Sequence, residues 1–331
     1  MSKQFHVCGL GNAIVDIFLE LDDSAFAGLD FEKGTMRLVG PVEQEELIER
    51  FRKDEPRLAS GGSVANSLIG FTQLGGKAAF IGCVGDDRYG FFYEREFEQL
   101  GIAVGNPIIV GETTGTCVCI ITPDAERTMR TALAVSSHLA AKHVDADKIK
   151  QSEWLFLEGY VFANPETGQG AIKKAIEVAK ANGVKVAITC SDAFIPTVFG
   201  EPFREALTQA DLLFCNAAEA AAVTGVEGTE AAFAAMKSIV PQCVVTDGPN
   251  GAYLRIDGVE SHVPAVACEP KDLTGAGDMF AGAFLFGLCT GVPPVAAARA
   301  ANFLSMKVIT QVGARLHEGT RQYWDETIGL A

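Results

Sequence analysis

Positive charge is scarce in this chain. Its 331 residues carry 27 Lys and Arg against 42 Asp and Glu, a net charge of −15. That balance argues against partners such as nucleic acid or an anionic membrane surface. It leaves room for a phosphate ligand, which needs only local N–H groups and a few cations. Paired cysteine motifs are also missing. The nine cysteines are scattered without Cys-x-x-Cys spacing, and Cys117-Val118-Cys119 reads as part of a strand. They read as reduced core thiols of a cytoplasmic protein, not as disulfides or zinc ligands. The longest uncharged run, Met279 to Ala298, is broken by Gly282, Gly287, Thr290, Gly291 and Pro293-Pro294. It reads as a buried helix and the start of another, not a membrane span. Met1 to His6 lacks the apolar core of a secretion signal. Neither a 20–50-residue repeat nor a low-complexity linker appears.

The apolar content of 48% is ample for a large core. The most informative stretch runs from Asp272 to Leu285, Asp-Leu-Thr-Gly-Ala-Gly-Asp-Met-Phe-Ala-Gly-Ala-Phe-Leu. It reads as a tight glycine turn opening into an apolar helix, because Met279, Phe280, Ala283, Phe284, Gly287 and Leu288 recur at helical spacing. A helix N-terminus presents unpaired N–H groups and the positive end of the dipole. The small residues Gly275, Ala276 and Gly277 let an anion approach those groups closely. Asp278, expected just before the helix, would repel a bound phosphate unless it had another task. Accepting a proton from an attacking hydroxyl is such a task. The alternative is an ordinary Asp in a first helical turn.

The string Asp-x-Thr-Gly-Ala-Gly-Asp followed by Phe-x-Gly resembles the signature of the ribokinase-like (PfkB-type) carbohydrate and nucleoside kinases. The resemblance implies an anion hole at Gly275, Ala276 and Gly277, with Asp278 as the base that activates the acceptor hydroxyl. Thr274 would lie beside the acceptor.

The rest of the chain extends the resemblance. Phe5 to Asn12 is a short strand ending in glycines, and Ile14 to Leu21 is a second strand. Ile14 stands where a Gly-x-Gly-x-x-Gly dinucleotide turn needs its third glycine. Asp16 interrupts an apolar run; it either faces solvent or is paired and used, since a lone buried carboxylate is costly. The spacing of Asn12 and Asp16 is similar to the start of adenosine kinases, which implies that both line the ribose site. Gly61-Gly62-Ser63-Val64-Ala65-Asn66 resembles the family's Gly-Gly-x-x-x-Asn motif. Ser63 is expected as the N-cap of a helix running to Leu74, with Gly62 and Asn66 on sugar hydroxyls. Glu43 to Lys53 reads as a polar helix, and Ile81 to Gly90 as scaffold.

Pro107–Val110, Cys117–Thr122 and Arg127–Thr131 are short β runs. With residues 14–39 they are expected to form a small sheet, which the resemblance makes a lid. Arg127, after the turn Pro123-Asp124-Ala125-Glu126, is either simply exposed or turned towards the transferring phosphate. By resemblance, Met129 and Thr131 would face the nucleoside. From Trp154 onward strands and helices alternate, which implies a parallel sheet covered by helices. Asn216-Ala217-Ala218-Glu219 follows a strand end, where ligands bind in such sheets. The pair is either a helix-capping pair or, by resemblance, the motif that organises Mg²⁺, its waters and phosphate, with Glu219 acting through water. Thr246, Gly248 and Gly251 match the family's nucleotide loop, and Asn302 lies where the family contacts adenine.

The expected fold is therefore α/β and ribokinase-like. A mainly parallel sheet flanked by helices (residues 1–13, 40–105 and 132–331) would carry a small β-sheet lid (14–39 and 106–131). The expected activity is transfer of the ATP γ-phosphoryl group, with Mg²⁺, to a nucleoside 5′-hydroxyl, in the manner of adenosine kinases. The alternatives are a sugar kinase for ribose or fructose, for which Thr274 and Thr131 speak, a guanosine or inosine kinase, and a silent ligand-binding relative. Monomer and homodimer both stay open.

Overall fold

The structure, a computed structural model, describes residues 3–52, 55–124 and 126–329. Nine strands form the main sheet. In spatial order they are Val259–Val263, Ala252–Ile256, Cys243–Thr246, Leu212–Asn216, Lys185–Thr189, Ser152–Glu158, Phe5–Leu10, Ala78–Ile81 and Ile102–Val104. The first two pairings are antiparallel and the other six parallel. Parallel strands need crossovers and bury both faces, and the central strands are accordingly apolar over most of their length. Val7 sits in register with Trp154 on one side and Ala78 on the other. Chain progression reverses about this first strand, so the loops leaving the carboxyl ends of its neighbours open a crevice there. Asn12, Glu158, Ser191, Asn216 and Thr246 all stand at or just beyond such strand ends.

The helices Ser63–Gln73, Ala276–Cys289 and Pro294–Ile309 cover one face of the sheet, with Val64, Leu68, Phe71, Met279, Phe284, Ala297 and Ala301 in a common core. Gly168–Ala181 and Gly200–Leu207 cover the other. The first two helices approach closely where Gly282 lies over the backbone of Ser67; a Cβ at 282 would collide with the Ser67 carbonyl. One turn earlier on each helix stand Asp278 and Ser63, which are hydrogen-bonded at 2.6 Å. The close approach thus brings both helix N-termini to the same point of the crevice. No helix among the described residues is long and apolar enough to cross a membrane.

A separate five-stranded sheet has the order Met36–Leu38, Arg127–Ala132, Gly115–Ile121, Ile14–Glu20 and Arg57–Gly61. Ile17, Leu19, Val118 and Ile120 face one way, onto Phe26 and Ile48. By register Asp16, Phe18, Cys117, Cys119, Met129, Thr131, Met36 and Leu38 share the opposite face.

Two expectations about this sheet need correction. Arg57–Gly61, expected in the main domain, is one of its strands, paired antiparallel with Ile14–Phe18. It carries no β-branched or aromatic residue, so only tertiary pairing reveals it. Ile108–Ile109, from the expected run Pro107–Val110, pairs instead with Val84–Gly85.

Helix starts differ as well. Gly275, at φ 80°, is the N-cap of a helix that begins at Ala276, so Asp278 lies inside its first turn and not before it. Gly62, at φ 108°, takes the cap position expected for Ser63, whose hydroxyl is turned to Asp278 instead. Lys53, the expected end of the polar helix observed as Pro41–Phe51, lies outside the described residues, as do Ala125 and the first two residues.

Replacing Gly282 with Ala tests the helix contact. We expect a loss of about 1–3 kcal/mol of stability in a urea titration, the usual cost of overpacking, together with a fall in kcat. An unchanged unfolding midpoint would show that the two helices separate freely.

Candidate active site

Asp278 is the centre of the site. Its Oδ1 accepts the Ser63 hydroxyl at 2.6 Å, and its Oδ2 accepts the Asn66 amide at 3.2 Å. Burial pushes its pKa from 3.8 up to about 6, against the two hydrogen bonds that favour the charge. Beside it, the first-turn N–H groups of Gly277 and Asp278 have no backbone acceptor among the described residues. Both residues line a cavity of about 210 Å³, together with Ser63, Thr189, Ser191, Asn216, Glu219 and Thr246. Among the described residues, no Lys, Arg or His lines it. Gly275 cannot be replaced without strain, because its φ is left-handed and a Cβ would meet the backbone of Ala314.

Asn216 and Glu219 form the capping pair, and both also line the cavity. Asn216 Oδ1 accepts the Glu219 N–H at 2.9 Å, and Glu219 Oε2 accepts the Asn216 N–H at 3.0 Å, a complete capping box. The same Glu219 is buried, its pKa is pushed by burial up to about 7, and it faces the cavity.

The acceptor residues form a second cluster around Glu158, which the motifs did not single out. Glu158 is 1% exposed; its Oε1 accepts the Asn12 amide at 2.8 Å and its Oε2 the Val64 N–H at 3.2 Å. Burial pushes its pKa up to about 7. A carboxylate ending the apolar strand Trp154-Leu155-Phe156-Leu157, directly before Gly159, was the available signal. Ser191, at φ 69°, was invisible in sequence; its hydroxyl accepts the Gly159 N–H at 3.0 Å. Gly62 packs against the Asn12 carbonyl, where no Cβ fits. Asp16 stands nearby against Gly61, with a pKa pushed by burial up to about 6 in spite of Arg127 and Arg315. Its carboxylate receives no hydrogen bond from the described residues. Two further acceptor atoms, Asn12 Oδ1 and Asn66 Oδ1, are buried without a partner.

Other expected residues share no hydrogen bond with Asp278 among the described residues. Arg127 is neither exposed nor free: its Nη1 is 3.1 Å from Asp272 in a buried ion pair. Asp272 also accepts the N–H groups of Thr274 and Gly313, at 2.9 and 2.8 Å. Burial alone would raise its pKa, but these donors and Arg127 hold it below the ordinary carboxylate value. Met129 packs with Phe18, Cys117 and Cys119, and the Thr131 hydroxyl donates to Cys117 Sγ at 3.3 Å. Gly248 and Gly251 flank the Gly248–Asn250 turn, and a Cβ at 251 would strike Val263 and Ala265. Asn302 donates to the carbonyls of Val263 and Pro264, at 3.3 and 3.0 Å. Gly251 and Asn302 meet at the segment 263–265, and neither they nor Gly248 line the cavity of Asp278.

Residues 34–320 match the model of the pfkB family carbohydrate kinases. The chain belongs to that family. It is accordingly a phosphotransferase acting on an alcohol group, with the ribokinase-like fold. It is 28% identical to a ribokinase of Haemophilus influenzae over 87% of this chain and 96% of that protein. It is similar to the adenosine kinase structure from Sinorhizobium meliloti, with 30% identity, a TM-score of 0.87 and coverage of 98% and 99%. A probable sugar kinase structure from Rhizobium etli matches with 28% identity, a TM-score of 0.88 and coverage of 99% and 100%.

The raised pKa of Asp278 has a consequence for stability. Between pH 3.8 and about 6 the native carboxyl holds a proton that the unfolded chain has lost. Stability from this group therefore falls as pH rises through that window. Asn at 278 removes the buried charge, and its amide can donate to the unpartnered Asn66 Oδ1. We expect Asp278→Asn to raise the thermal midpoint at pH 7, with the gain vanishing below pH 3.8, while kcat falls by about 10²–10⁴. A variant retaining more than about a tenth of wild-type kcat would place the base elsewhere.

Proposed function

We propose that this kinase transfers the γ-phosphoryl group of ATP to the 5′-hydroxyl of a nucleoside, with adenosine as the acceptor. The observation that carries the reading is the joint placement of Asp278, the free N–H groups of its helix and a cradle made of hydrogen-bond acceptors. Asn12 Oδ1, Asn66 Oδ1 and the Asp16 carboxylate offer lone pairs and no protons. A ligand that matches them must bring several hydroxyl donors, as a ribose does. A site built this way rejects an analogue that lacks a hydroxyl, because its buried acceptor is then left unpaired.

Asp278 keeps a lone pair for the acceptor hydroxyl while Ser63 and Asn66 fix its orientation. Burial makes it a stronger base than an ordinary carboxylate, yet it stays ionised at neutral pH. The Gly277 and Asp278 N–H groups stabilise negative charge on the transferring group. Arg127 is held close to the same turn through Asp272. The cavity beside Asp278 offers hydroxyl, amide and carboxylate oxygens and no basic side chain, a donor set suited to Mg²⁺ carrying phosphates and water. Glu219 and Asn216 would hold that ion through water. When bound, Mg²⁺ neutralises phosphate charge. Thr246, Gly248, Gly251 and Asn302 would receive the nucleotide's outer part.

Support for a nucleoside over a free sugar comes from the small sheet. Phe18, Met129, Met36 and Leu38 share the face of Asp16, and Met36 and Leu38 are exposed. That apolar shelf beyond the sugar cradle suits a purine ring. The likeness to the Sinorhizobium meliloti adenosine kinase, at 30% identity over nearly the whole chain, points the same way. The likeness to the ribokinase favours the second reading, a sugar kinase for ribose or fructose.

The experiment is an acceptor panel read by ADP release: adenosine, inosine, guanosine, ribose, fructose and 2′-deoxyadenosine. We expect the highest kcat/KM for adenosine, and a large loss for its 2′-deoxy analogue and for Asp16→Ala with adenosine. Preference for a free sugar would overturn the nucleoside reading and leave the base assignment standing.

Glu219→Gln separates charge from capping, because Gln still completes a capping box. We expect a thermal midpoint at neutral pH no lower than that of the unaltered chain, a lower kcat and a raised Mg²⁺ requirement. An unchanged Mg²⁺ titration would leave Glu219 as a cap alone.

A further inference from the structure

Cys117 and Cys119 read in sequence as two residues of a strand, and their extended spacing places both on the face of the small sheet that carries Asp16. In parallel register Cys117 pairs with Asp16, and Cys119 with Phe18. The two sulfurs lie 3.7 Å apart. One ligand atom from each of Asp16, Cys117 and Cys119 can be chosen so that all lie within 4.8 Å of one another. We propose that these three side chains form a binding site for a thiophilic divalent cation of the Zn²⁺ or Cd²⁺ type, set in the roof of the acceptor cradle.

The geometry fits such an ion. Two thiolates at about 2.3 Å from a tetrahedral zinc lie about 3.8 Å apart, close to the spacing already present. The Asp16 carboxylate, which receives no hydrogen bond from the described residues, supplies the third ligand. One position stays open towards the cleft, as in three-ligand zinc sites. Two thiolates and a carboxylate exceed the charge of a divalent ion by one, and the Arg127 guanidinium, shared with Asp272, lies beside them with Nη2 3.2 Å from Cys119 Sγ. The contact with Cys117, and then burial, hold the Cys119 thiol above its ordinary pKa. Cysteine ligates such an ion as thiolate, so binding releases thiol protons to solvent. Mg²⁺, a hard ion that prefers oxygen, does not compete for two sulfurs.

A cation held here occupies the carboxylate that the proposed acceptor needs. Occupation by metal and by the acceptor should then be mutually exclusive, a consequence that rests on the nucleoside reading above. The site itself does not.

The test uses the full chain, reduced and freed of metal, in buffer containing Mg²⁺. Cd²⁺ is titrated in and the sulfur-to-cadmium charge-transfer absorbance is followed. We expect a band that saturates at one equivalent. Cys117→Ser and Cys119→Ser should each weaken it by more than about tenfold, as loss of a ligand does at least as strongly as loss of its support. Cys268→Ser, which removes the exposed thiol, should leave it unchanged. Asp16→Asn keeps both thiols and should weaken binding as well, so the test stands even if a serine variant fails to fold. A band of full strength in the Cys117→Ser, Cys119→Ser double variant would overturn the site, as would no band in the unaltered chain.

Acceptor competition is measured without ATP, which would itself chelate the ion. Adenosine should shift the Cd²⁺ midpoint upward. A band that needs both cysteines but ignores adenosine would confirm the metal site and remove Asp16 from the acceptor cradle.

Discussion

The contact between Gly282 and Ser67 sets the position of everything chemical in this molecule. Two helices that enter the core side by side can align their first turns only if their backbones approach without an intervening side chain. Glycine at 282 permits that approach. The result is a hydrogen bond between residues 215 positions apart in sequence, Ser63 and Asp278. Asp278 is thus oriented by a helix–helix packing distance, not by its own loop. The N–H groups of one helix and the polar residues of the other meet at the same point.

Four carboxyl groups stand around that point, Glu158 and Glu219 buried, Asp16 and Asp278 partly buried. Asp16, Glu158, Glu219 and Asp278 all have pKa values raised mainly by burial, to about 6 or 7. Each destabilises the folded chain at neutral pH relative to a solvated carboxylate. Only part of that cost is met by internal donors. Glu158 has Asn12 and Val64, Glu219 has its cap, Asp278 has Ser63 and Asn66, and Asp16 has only the field of nearby arginines. The least satisfied group is the one facing the small sheet. Clusters of this kind persist where a ligand completes them.

The glycine turn, Asp278 and the alternation of strands and helices after Trp154 were legible because each has a local pattern: small residues before an apolar helix, and a change of period. The pairing of Asn216 with Glu219 was legible as spacing, but spacing could not choose between cap and cavity, and the structure makes it both. Arg57–Gly61 was not legible as a strand, since nothing in Arg-Leu-Ala-Ser-Gly favours extended backbone apart from its partner. Glu158 escaped because a buried acid is recognised by its surroundings, here Asn12 and the Val64 N–H, which are remote in sequence. The fate of Arg127 was hidden for the same reason: its partner Asp272 lies 145 positions away. The sequence matched Gly251 to a nucleotide loop and Asn302 to an adenine contact; what it could not show is that both pack on backbone atoms of residues 263–265.

The small sheet is not hinged at one place. Ile14–Glu20 follows Asn12 by a single residue, and Arg57–Gly61 runs through Gly62 straight into the helix that starts at Ser63. Two of its five strands are therefore continuous with the segments that carry the cradle, and a third reaches the turn before the glycines through Arg127 and Asp272. Such a sheet is tethered at several places, since the chain also enters it at Gly115 and leaves it at Ala132, and is not a flap on one. Rotation of it would be shared among these joints, Ala13, Gly62 and the Arg127–Asp272 clasp among them. Motion of the cover and distortion of the seat beneath it are, in this chain, the same mechanical event.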